Sequence, residues 1–245
     1  MKSTQKFLGL LVMIFISACN NYEKDGDKVY YNSWNEGSGS HKYQLVDVDA
    51  AKFHVLYYDS YAKDDKFVFY NGLLIPGADA KTFEAIGNYY AHDKFHGYYG
   101  GDSIKSSHGL SFRIINAYYT TDGKDVFFMK KAMKVTSVSK FRFVFDSGED
   151  EGDRWTTDGH NYFIHQFKVP SEDYKHMVLY KNSGGISKDS KWVYYLNRKI
   201  NYNDSGRRVL DTVDLKTFEV TGFLECGDKY GCINIFRGRT KCNPK

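Results

Sequence analysis

Tyr61-Ala-Lys-Asp64-Asp-Lys-Phe-Val-Phe-Tyr70-Asn-Gly-Leu-Leu-Ile75 is the stretch that decides the fold. Asn71-Gly72, set between Val-Phe-Tyr and Leu-Leu-Ile, is the strongest short signal for a two-residue β-hairpin, because both turn residues must take positive φ. Such a turn pairs Tyr70 with Leu73 and sets Val68 against Ile75. Upstream, the carboxylate of Asp64 can accept a hydrogen bond from the amide two residues on and so fix the turn that feeds the strand.

Working outward, the same unit recurs, which makes self-similarity the main source of information in the chain. Asp25-Gly-Asp-Lys-Val-Tyr-Tyr31, Asp93-Lys-Phe-His-Gly-Tyr-Tyr99, Asp122-Gly-Lys-Asp-Val-Phe-Phe128 and Asp189-Ser-Lys-Trp-Val-Tyr-Tyr195 repeat the order of turn, then aromatic strand. Asp158-Gly-His-Asn-Tyr-Phe-Ile164 ends on an aliphatic residue instead, and a degenerate seventh copy starts at Asp228. An apolar residue follows five positions later in the middle copies, at Ile75, Ile104, Met133, Val169 and Ile200. Gly100-Gly101, Met129-Lys130 and Leu196-Asn197 stand where the hairpin turn is expected in other copies. A closing aromatic marks a third segment at Phe53, Phe83, Phe112, Phe141, Tyr174 and Phe218.

Each unit therefore reads as turn, strand, hairpin, strand, loop and third strand. Adjacent aromatics such as Phe69-Tyr70 and Tyr194-Tyr195 put bulk on both faces of one strand. One unit cannot cover both faces, so the copies must stack. The class expected is all-β: repeated β-hairpin or three-stranded units, about six with a degenerate C-terminal one, in an irregular β-propeller or a curved hairpin array over 25–245. The turn aspartates Asp25, Asp64, Asp93, Asp122, Asp158 and Asp189 are expected to be structural.

The pattern from Tyr61 to Gly72, continued by Ile75-Pro-Gly-Ala-Asp79-Ala-Lys-Thr-Phe83, resembles the DKNYY family of bacterial envelope proteins. The resemblance covers most of 25–225 and is strongest over 61–86. It implies secretion and repetition and carries over no catalytic residues. Gly97, where the pattern has Val, and Ile164, where it has an aromatic, depart from it.

The N-terminus supplies an address. Lys2 and Lys6 precede an apolar or small run from Phe7 to Ser17, and Ile16-Ser-Ala-Cys19 resembles a bacterial lipobox. The run is too short for a spanning helix, which needs about 20 residues. Residues 1–18 are read as a signal peptide, Cys19 as the acylated residue, and 19–24 as a short tether, which places the protein in the cell envelope, on the outer membrane. The formal charge of +4 falls to +2 once the two leader lysines are gone, and no run of like cations marks a nucleic-acid footprint. Among Cys226, Cys232 and Cys242 an oxidising compartment favours one disulfide, with the pairing left open.

Candidate chemistry is sparse. His92 and His96 have a metal-ligand spacing only if helical, and here they flank a turn. Asp146 to Asp153 gathers acids but lacks the order of an EF-hand loop. No nucleophile elbow, zinc-protease or P-loop motif is present. No cofactor and no metal is expected. The functional expectation is a non-catalytic binding or structural protein of the envelope, not an enzyme, with the membrane and an unidentified envelope protein or glycan as partners; the alternative is an envelope hydrolase with a loop-built site. Binding is expected from the long segments 32–47, 146–157 and 201–210, through Trp34, Tyr43, Trp155, Tyr202 and Arg207.

Overall fold

The computed structural model describes residues 21–56, 60–145 and 155–241. Among them the chain forms seven small antiparallel sheets in sequence order, the first of three strands and the rest of four. The second sheet shows the plan: His54–Val55, Tyr61–Lys63, Val68–Tyr70 and Leu73–Leu74, each strand paired with the next. Tyr70 lies opposite Leu73, and the Ile75 amide donates to the Val68 carbonyl at 2.8 Å, the register expected from Asn71-Gly72. Both turn residues have positive φ, 49° and 74°. In the later copies Met129, His165 and Leu196 take positive φ at the same place, a conformation imposed by the two strands they join.

The unit differs from the three-stranded expectation. A strand of three or four residues precedes the aspartate in each four-stranded sheet, so Asp64 and its counterparts close a hairpin between the two central strands. These strands were hidden because they are short and carry small central residues. Ala62, Ala91, Thr120, Thr156 and Ser187 lie opposite Phe69, Tyr98, Phe127, Phe163 and Tyr194, small against large. The third segment is corrected once as well. The turn Tyr174–His176 leads into Met177, which holds the place of Phe112 and Phe141 that Tyr174 was expected to hold.

Six apolar clusters lie between the seven sheets, one for each consecutive pair. Phe69 points into the cluster shared with the first sheet, while Val68 and Tyr70 point into the cluster shared with the third. Both faces of the aromatic strand are thus covered by neighbours, as stacking requires. Among the described residues no apolar cluster joins the first sheet to the seventh, and each sheet packs on its neighbours in sequence. The outer face of the first sheet carries Glu23, Asn32 and Lys42, a polar cap of the kind that ends a repeat stack.

Hydroxyls tie the sheets together. Tyr22, Tyr61 and Tyr90 donate to the carbonyls of Ser60, Tyr89 and Tyr118 in the following sheet, and the amides of Gly72 and Gly101 donate back to Tyr22 and Tyr61. Trp155 does the same through its indole N–H to Tyr180. At Gly97 the missing side chain makes room for Phe112, whose ring would lie 2.6 Å from an added Cβ.

The linker after the third sheet folds back so closely that a Cβ on Gly109 would stand 1.9 Å from the Asp93 carbonyl oxygen. Gly109→Ala is expected to cost about 3 kcal/mol through this backbone clash. Gly77→Ala, at φ 78° with open space around it, should cost only about 1 to 2 kcal/mol. Urea unfolding of the two variants checks the order.

Candidate functional site

The repeated aspartates from Asp64 to Asp189 each accept three or more hydrogen bonds. Asp64 accepts from the amides of Lys66 and Phe67 on one oxygen and from the Asp49 amide on the other, all within 2.9 Å. Asp93 takes the amides of Phe95, His96 and Asp79 and the Tyr98 hydroxyl. Asp122 takes the amides of Lys124, Asp125 and His108 and the His108 ring. Asp158 accepts five bonds, from Thr136, His160 and Asn161. Asp189 takes Lys191, Trp192, Ser171 and Tyr194. One oxygen therefore shapes the turn, and the other pins the linker arriving from the preceding sheet.

Asp228 repeats the arrangement with Tyr230 and Asp214 and adds a two-pronged pair with Arg239, so the degenerate seventh copy is a full unit. Asp25 departs from the expected role. It is exposed at the end of the first strand, and among the described residues its carboxylate takes no such bond. Burial by itself would raise the carboxyl pKa of Asp93, Asp122, Asp158, Asp189 and Asp228, but the donated hydrogen bonds prevail and hold all five below the usual carboxylate range.

The expected binding residues are scattered rather than gathered. Trp34 stands 70% exposed near the tip of the first sheet's long hairpin. Tyr43 is partly exposed and donates to the Asn71 carbonyl. Tyr202 and Arg207 lie in the 201–210 insertion, joined through the Tyr202–Arg208 bridge. Trp155 is corrected: it is 1% exposed in the core between the fifth and sixth sheets with Ile164, Val169 and Tyr194, and it presents no binding surface. The acidic segment Asp146 to Asp153 lies outside the described residues.

A cleft of about 700 Å³ forms where the insertion meets the fifth and sixth sheets. Phe167, Pro170 and Leu196 make its apolar floor, and Asn197, Lys199, Tyr202 and Asn203 give it polar edges. Arg198 builds the cleft. Its guanidinium holds Asp204, the Tyr202 carbonyl and the Ile235 carbonyl, tying the insertion to the seventh sheet. Arg198, Phe167 and Pro170 were not singled out from the sequence, since only the folded insertion brings them together.

His92 and His96 flank the Asp93 turn, with His92 opposite Gly97. Among the described residues no group of three His, Cys, Asp or Glu side chains is placed to hold a metal ion. Cys232 is disulfide-bonded, and Cys226 is a buried free thiol whose pKa burial pushes up to about 12. Cys19 and Cys242 lie outside the described residues, and no described helix is long and apolar enough to cross a membrane.

Residues 11–102 match the DKNYY family. No curated protein and no solved structure matches the chain.

Proposed function

The chain is a DKNYY-family protein by its N-terminal units, and on that premise we propose that it is a lipid-anchored protein of the bacterial cell envelope, on the outer membrane, whose array binds an envelope protein or glycan without catalysing a reaction. The saturation of the six buried turn aspartates carries this reading. Each carboxylate already accepts three to five hydrogen bonds, counting from Asp64 to Asp158, so these acids serve the backbone and are not poised as general acids or bases. The aromatic side chains of the central strands, such as Tyr61, Phe69, Tyr98, Phe127 and Tyr194, are likewise spent on the stack. What remains for recognition is the variable margin of the array, where the 201–210 insertion opens the cleft beside Tyr202.

Shortening Asn203 to Gly206 is expected to abolish capture of a partner from envelope extracts while moving the melting temperature by no more than about 2 °C, since surface loop length changes closure entropy slowly. Turnover of peptidoglycan or peptide substrates that vanishes on replacing one loop carboxylate would instead make the protein a hydrolase.

The anchor has its own test. Metabolic labelling with an alkyne fatty acid should mark the wild type and leave the Cys19→Ser protein unmarked. Equal labelling of both would remove Cys19 as the lipid site.

A further inference from the structure

An apolar groove of about 310 Å³ runs between the last strand of the first sheet and that of the second, lined by Tyr43, Leu45, Val46, Phe69, Leu73 and Leu74. Leu73, Leu74 and Val46 are 68%, 50% and 74% exposed. The core does not require leucines there. At the same register the third sheet has Asp102 and Ser103 and the fourth has Lys131 and Ala132. Two adjacent exposed leucines at a position that elsewhere accepts charge call for a covering surface.

The chain's entry into the fold identifies that surface. The Asn21 carbonyl accepts from Asn32, and its side-chain amide donates to the Tyr31 hydroxyl at 3.3 Å. Tyr31 packs so tightly on the Asn71-Gly72 turn that an added Cβ on Gly72 would lie 2.5 Å from its ring. Tyr43, on the other side of Tyr31, holds the same turn through its bond to the Asn71 carbonyl. Asn21 therefore enters beside the turn that carries Leu73, and Cys19 is two residues back, a reach of about 7 Å. Trp34 lies toward this same end of the first sheet, three residues past Tyr31 on the way to the hairpin tip, because the strand from Lys28 to Asn35 runs antiparallel to the one that begins at Tyr22.

We infer that Leu73, Leu74, Val46 and Trp34 form a second membrane contact, entering the interfacial zone of the bilayer that holds the N-terminus. The inference rests on the lipid-anchor reading. One acylated residue fixes a distance but no orientation, whereas an apolar patch beside it fixes which end of the array faces the lipid. The first two sheets lie against the membrane, and the later sheets, with the 201–210 cleft, are held away from it.

The test uses full-length protein purified from membranes and reconstituted in phosphatidylcholine vesicles with brominated acyl chains, in a Trp192→Phe background. Trp155 is buried, so Trp34 is the exposed reporter. Vesicles are floated, Cys19 is read by mass spectrometry, and fluorescence is compared with unbrominated vesicles. Trp34 emission should fall at least twofold, and the loss should disappear in Leu73→Ser/Leu74→Ser protein that floats and melts as the parent does. Unquenched Trp34 on floated protein, or quenching unchanged in the double variant, overturns the contact and leaves the anchor standing. Unmodified Cys19 on protein that floats with quenched Trp34 overturns the anchor and keeps the contact. Unmodified Cys19 with no flotation overturns both.

Discussion

Asp158→Ala is expected to lose about 3 to 5 kcal/mol of stability, while Asp25→Ala should change it by no more than about 0.5 kcal/mol. The two residues stand at the same place in the repeated sequence but not in the same environment. Removing the Asp158 carboxylate strands the amides of Thr136, His160 and Asn161 in or near the interior and cuts the link between sheet and incoming linker. Asp25 is exposed and clamps nothing among the described residues. A turn hydrogen bond alone would be worth about 1 kcal/mol, so urea unfolding of Asp64→Ala and Asp189→Ala distinguishes a local cap from the two-sided clamp seen here. Loss near 1 kcal/mol at Asp158 would refute the clamp.

The same clamps make the fold sensitive to acid. For Asp93, Asp122, Asp158, Asp189 and Asp228 the folded pKa lies below the usual value, because hydrogen bonds to the ionised form outweigh the cost of burial. The unfolded chain, with carboxyl pKa near 4, then binds more protons than the folded one in the interval below that value. The contribution is complete above about pH 4 and is lost as the pH falls through the folded pKa values. Unfolding midpoints in urea should be level from about pH 7 to 5 and drop steeply by about pH 3, with a shallower drop in Asp158→Ala protein.

Trp155→Ala should cost about 3 to 5 kcal/mol, the range for emptying a fully buried large aromatic site. Trp155 is the largest side chain buried below 2% exposure, and it faces Ile164 across the central strands where the second, third and fourth sheets pair tyrosine with tyrosine or phenylalanine. The larger ring is matched by the smaller partner, which accounts for the departure at Ile164. Trp155→Tyr would reproduce the residue used at 61, 90 and 119 and should lose only about 1 to 2 kcal/mol. In an array each sheet touches only its neighbours, so the alanine variant should uncouple the fifth sheet from the sixth and split unfolding into two phases. Differential scanning calorimetry reads that split; one unbroken transition would contradict it.

The sequence by itself determined what depends on near neighbours along the chain. Asn71-Gly72 set the turn and register because φ at two residues and a period of two leave one choice, and each aspartate announced a turn because its carboxylate reaches the amide two residues on. Repetition with aromatics on both faces was enough to require stacking. Only the tertiary structure decided the rest, for a common physical reason: a side chain's role in a stack is set by what the next unit places against it. That is why Tyr-Ala-Lys and Trp-Thr-Thr became strands despite their length, why Trp155 is core while Trp34 is surface, and why the second oxygen of Asp158 finds Thr136, 22 residues away. Leu73 and Leu74 look like core in the sequence. They remain exposed because their strand is the sheet's edge and no neighbouring sheet covers it.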